Sequence, residues 1–133
     1  MPQTSAADVG FRAAFAGGEP QTRGTVGRFR WDEKGLYVAY SSPGPYKAEG
    51  KAIWKDDCME LMVSPGTKAE KVYQFALSAA GQYTDIFRQL DPPRPSDPNW
   101  EARGVRHSVK REAGSWSAEV FVPWTVFEDP APK

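Results

Sequence analysis

The chain has 133 residues, a length that suits one domain and allows a substantial single core. Lysine plus arginine and aspartate plus glutamate each number 17, for a formal net charge of zero. The long-range field that draws proteins onto phosphate backbones and anionic membranes is therefore missing, and neither nucleic acid nor a membrane is an expected partner.

In chain order, the first segment MPQTSAADVG (1–10) lacks the charged and apolar regions of a signal peptide. FRAAFAG (11–17) carries a weak helical pattern. Beyond it the periodicity favours strands. VGRFRW (26–31) alternates, meets the turn DEKG with Gly35, and LYVAY (36–40) resumes the β-rich pattern, which predicts a hairpin. IWKDDCMELMV (53–63) sets Trp54 beside a knot of acids and then runs into the strand-like CMELMV (58–63). VYQFALS (72–78), QYTDIF (82–87), GVRHSVKR (104–111) and WSAEVFV (116–122) are further candidates. Between them DPPRPSDPN (91–99) is too proline-rich for a ladder and reads as an extended surface loop. No apolar run approaches the roughly 20 residues that cross a bilayer.

Short strands rich in Val, Tyr, Phe and Trp predict an all-β fold, an antiparallel two-sheet β-sandwich of immunoglobulin or jelly-roll kind. Its expected core includes Phe29, Leu36, Val38, Leu61, Phe75, Leu77, Val120 and Val122, with Trp31, Trp116 and Trp124 structural. Successive strand residues point to opposite faces. Met59, Leu61 and Val63 then share one face and Cys58, Glu60 and Met62 the other; Tyr73, Phe75 and Leu77 oppose Gln74, Ala76 and Ser78. Glu60 and Gln74 are expected to line one polar face, which is either a solvated surface or a ligand surface.

The chemistry-bearing residues narrow the function classes. One cysteine, Cys58, excludes an internal disulfide, and one histidine, His107, leaves no Cys/His cluster for zinc. Asp56 and Asp57 are hard oxygen donors that suit calcium. Asp57 and Glu60 stand three apart, so within one strand they face opposite sides and cannot flank a glycosidic bond as a hydrolase pair. The same spacing keeps Met59 and Met62 from sharing a haem iron. Asp85 and Arg88 are expected to form a charge pair at a strand end.

The succession FRWDEKGLYVAY, IWKDDCMELMVSP, YQFALSAAGQYTD and SWSAEVFVPW resembles family 9 carbohydrate-binding modules and their DOMON-like relatives, over most of residues 25–127. The resemblance implies one non-catalytic domain, 1–133, that binds a polysaccharide or oligosaccharide, is linked in cis to a catalytic domain such as a glycoside hydrolase, and is secreted or periplasmic; the alternative within the same fold is a scaffold or interaction module with a non-sugar ligand, of haem type or none. It matches Trp54 to one tryptophan of a two-walled sugar clamp and Glu60 to the strand carboxylate that takes sugar hydroxyls, with Asp57 and Gln74 beside it. Structural calcium at Asp56 and Asp57 belongs to the same expectation. Ala76 departs from it, because it stands where sugar-binding members carry an arginine. The second clamp tryptophan falls beyond residue 133, which implies a fragment of a longer chain; Trp100 is the residue within the chain that remains to replace it.

Overall fold

The computed structural model describes residues 3–7, 24–66 and 70–128, with residues 3–7 and Glu128 described by their backbone alone. The helical expectation at 11–17 lies outside the described residues.

Two antiparallel sheets form the fold. One has five strands in the order β1 (Gln3–Ala7), β2 (Val26–Trp31), β3 (Gly35–Pro43), β9 (Ser115–Pro123) and β8 (Arg106–Glu112). The other has four, in the order β4 (Cys58–Val63), β5 (Lys71–Ser78), β6 (Tyr83–Leu90) and β7 (Pro93–Arg94). Both contribute to one apolar core in which Phe75, Leu77, Val120 and Val122 are essentially sealed from water. Of the expected core residues, Phe29 and Leu36 are half-buried against that cluster and the other six are inside it.

Alternation builds this core. In β9 the residues Trp116, Ala118, Val120 and Val122 point inward while Ser117, Glu119 and Phe121 point out, and β3 matches them through Leu36↔Val122 and Val38↔Val120. The β2–β3 hairpin closes where expected: the Asp32 carboxylate accepts the Lys34 and Gly35 amides at 2.8 and 3.2 Å, an Asx turn that substitutes for backbone bonding. Trp124 seals that end, donating its indole N–H to the Asp32 carbonyl at 2.7 Å. The one-turn helix α1 (Thr125–Glu128) follows and sets Phe127 edge-on to Tyr73, centroids 5.0 Å apart at 88°.

Two expectations are corrected, and one strand joins those expected. β1 pairs with residues 27–31 of β2, although its small, polar sequence QTSAA carries no strand pattern. Pro93 and Arg94 in the proline-rich loop form a short ladder with Leu90 and Gln89; at a sheet edge proline's missing donor is not needed. Asp85 and Arg88 do not pair. Asp85 points inward, where its Oδ2 accepts the Tyr83 hydroxyl at 2.9 Å and the Ala102 amide at 3.1 Å, while Arg88 is exposed on the opposite face.

Candidate functional site

The acidic stretch 53–60 divides into three parts. Residues Ile53–Lys55 form a single 3-10 turn, closed by the Lys55 amide on the Ala52 carbonyl at 3.0 Å. That turn lies against β5 and leaves Trp54 51% exposed. Among the described residues the other large exposed apolar side chains are Met62 and Leu90, so Trp54 is the only aromatic of that group. Trp116 is in the core and Trp31, Trp100 and Trp124 are half-buried.

The two aspartates that follow organise the loop presenting Trp54. Asp56 is buried, and its two carboxylate oxygens accept the Glu49 and Gly50 amides at 2.9 and 2.8 Å. Those bonds, the Gly50 amide foremost, hold its carboxyl below its ordinary value. Asp57 Oδ2 accepts the Lys47 amide at 2.7 Å, and its backbone carbonyl accepts the Ala79 amide at 2.8 Å. From the far side Gln82 Nε2 donates to the Gly50 carbonyl at 2.9 Å. Residues 47–57 are therefore a tied loop whose acids face its own amides. A calcium ion needs several open oxygen ligands; both Asp56 oxygens and Asp57 Oδ2 already accept N–H donors, and among the described residues no group of three or more acidic, histidine or cysteine side chains gathers. The donor set does not fit the ion.

The third part is β4. Glu60 and Met62 are exposed on the outer face of the four-stranded sheet, while Met59 and Leu61 enter the core. In register, Glu60 stands beside Ala76 and then Thr84, and Met62 beside Gln74 and then Ile86. Gln74 Nε2 donates to Glu60 Oε1 at 3.4 Å, a long and weak bond. Gln74 is only 6% exposed, so it props Glu60 more than it offers itself to solvent. Ala76 is 1% exposed and adds no cation to the face.

Trp100 lies elsewhere. It packs on Tyr73 and Phe87 with centroids 5.9 and 5.7 Å away, at the end of β5 that holds α1. Trp54 belongs to the other end, where Asp57 bonds Ala79 and Cys58 pairs with Ser78. The six rises from Tyr73 to Ala79 correspond to roughly 20 Å. The structure therefore brings Glu60 and Gln74 together, tethers Asp56 and Asp57 beneath the Trp54 turn, and does not bring Trp100 to Trp54. Met62, exposed beside Gln74, joins the same face; alternation along CMELMV already paired it with Glu60.

Other chemistry is disfavoured locally. Burial, helped by the nearby Glu60 charge, pushes the Cys58 thiol up to about 11, so it is a poor nucleophile at neutral pH. His107 stacks flat on Tyr83, centroids 4.3 Å apart at 12°, on the opposite sheet from Cys58. Met59 is in the core and Met62 in solvent, so they offer no shared ligand position.

No family model matches the sequence. No curated protein matches it either. One solved structure is similar in fold: a candidate carbohydrate-binding protein from Bacteroides uniformis, with a TM-score of 0.57 and 17% sequence identity over 98% of this chain and 64% of that one. This chain thus spans less than two-thirds of that protein's length, and the likeness at this identity is one of fold.

Proposed function

We propose that the protein is a non-catalytic carbohydrate-binding module in which Trp54 stacks against a sugar ring and Glu60, braced by Gln74, accepts hydroxyl hydrogen bonds. The observation that carries this reading is Trp54 itself: a loop tied by two aspartates and a glutamine holds a tryptophan half in water, where burial alone would favour tucking it away. An aromatic face suits the apolar C–H patches of a pyranose, and a carboxylate accepts from adjacent hydroxyls. The sequence resemblance to family 9 and DOMON-like modules supports the same assignment, and so does the carbohydrate-binding description of the similarly folded Bacteroides uniformis protein. Such a module works in a secreted or periplasmic setting, linked in cis to a catalytic domain that acts on the same polysaccharide.

Trp100 stands at the far end of the sandwich, so the described residues provide one aromatic wall. One wall leaves a ring face wet and forfeits about 1 to 3 kcal/mol of apolar burial and stacking, a roughly tenfold to hundredfold loss of affinity. Dissociation constants near or above about 1 mM are expected for cello- and xylo-oligosaccharides. Calorimetry and tryptophan fluorescence test this: Trp54→Ala abolishes binding and Glu60→Gln weakens it. Micromolar binding that survives Trp54→Ala places the site elsewhere. Binding that appears only in a chain extended past residue 133 identifies the second wall as lying outside this segment.

A further inference from the structure

The outer face of the five-stranded sheet carries a second, chemically different surface. Cross-strand register sets Arg30, Tyr37, Phe121 and Arg106 in one row across β2, β3, β9 and β8. The Tyr37 and Phe121 rings lie side by side, centroids 4.7 Å apart and tilted by 39°. Each arginine leans inward over its neighbouring ring: the Arg30 guanidinium carbon is 5.0 Å from the Tyr37 centroid and that of Arg106 is 4.8 Å from the Phe121 centroid. The row thus offers solvent two partly exposed rings with a braced cation over each, one at either end of the row. In the next row Arg28 stands beside Ala39, then Glu119, then Ser108. Among the described residues the ion pairs join Lys47, Lys51 and Lys110 to glutamates, and none involves Arg28, Arg30 or Arg106.

These rows line a concavity of about 550 Å³. A second one of about 340 Å³ shares Arg28, Ala39, Ser108 and Glu119 with it and continues to Ser41, Ser117 and Lys110. The joined groove holds cations along its length, serine hydroxyls among them and one acid, Glu119, in its middle.

We propose that this groove binds a carboxylate-bearing oligosaccharide, a uronate chain, independently of the Trp54 site. Guanidinium forks take carboxylates in paired hydrogen bonds, and stacking on an aromatic ring holds the fork in place beforehand. Arg30 and Arg106 are braced in this way, and among the described residues neither they nor Arg28 form an ion pair, Glu119 being the one acid that lines the groove. Glu119 and the serines supply what a polymer of phosphates does not need and a sugar does, acceptors and donors for hydroxyls between the charged groups. A DNA backbone carries no hydroxyl donors for Glu119 to accept, so that carboxylate would meet it with repulsion alone.

Calorimetric titration with tetragalacturonate, its methyl ester and a short duplex DNA, using the full chain, tests this. The uronate is expected to bind with an affinity that falls as salt rises, and its uncharged ester at least tenfold more weakly. Arg30→Ala and Arg106→Ala should each weaken uronate binding about tenfold, with melting temperatures close to the parent because both side chains are exposed. Trp54→Ala should leave it unchanged. Absence of uronate binding, equal affinity for the ester or the DNA, or indifference to both arginine substitutions overturns the proposal. Loss of uronate binding on Trp54→Ala also overturns it, by assigning the acidic sugar to the other face.

Discussion

At the scale of single residues, the acids of the Trp54 stretch are builders of its loop. Asp56 and Asp57 hold four amide-to-loop links between them, counting the Asp57 backbone carbonyl, so adding EDTA is expected to leave the melting temperature unchanged, as followed by circular dichroism. A calcium-dependent rise would show an ion that these carboxylates had reoriented to bind. Cys58 gives a second residue-level test. With its thiol pushed up to about 11, the native protein should react with a thiol reagent far more slowly at pH 8 than the unfolded chain does, because the thiolate is the reactive form. Equal rates would mean that the thiol is not shielded as described.

At the scale of elements, strand packing makes two positions unforgiving. Gly35 begins β3 opposite Pro123, and a methyl group there would meet the Val122 carbonyl oxygen and approach the Phe121 ring at 2.7 Å and the Pro123 Cα at 2.9 Å. Two of those three neighbours are backbone of the central β9, which cannot swing aside. Gly35→Ala is therefore expected to cost about 1 to 3 kcal/mol in urea unfolding, even though alanine suits a strand better than glycine in the abstract. Trp116 is 3% exposed and tilts against Tyr40 with centroids 5.1 Å apart; Trp116→Ala should cost about 3 to 5 kcal/mol through the cavity it leaves. Trp54→Ala, by contrast, should cost about 1 to 1.5 kcal/mol, because half of its surface is already in water. That contrast separates the tryptophan offered to ligand from the one that builds the core.

At the scale of the whole molecule, pH acts through the turns that close the loops. Asp32, chiefly through the Lys34 amide, and Asp56, chiefly through the Gly50 amide, both have carboxyls held below the ordinary value of 3.8. A depressed folded-state value means that the unfolded chain takes up protons first on acidification. The stability these groups contribute is complete above the ordinary value and is lost as pH falls through the lowered ones. Thermal melting should accordingly show no acid loss from them near neutrality and a decline below about pH 4. Asp56→Asn should lower the melting temperature at neutral pH and make that acid decline shallower. An unchanged acid limb would remove Asp56 from the account.

The sequence by itself determined the all-β class, the principal strands between 26 and 122, the eight core residues named from them and the opposition of Glu60 to the core, because a period of two and the burial of apolar side chains are local rules written residue by residue. It also singled out Trp54. It did not reveal β1, whose QTSAA has no apolar alternation and is held by pairing with β2. Nor did it show that Asp56 and Asp57 bond the amides of residues 47 to 50, or that Trp100 lies at the opposite end of β5 from Trp54. The row of Arg30, Tyr37, Phe121 and Arg106 comes from four strands whose order in the sheet departs from their order in the chain. Such arrangements depend on register and on which strands become neighbours, and those are fixed by the packing of the two sheets as a whole, so only the tertiary structure decided them.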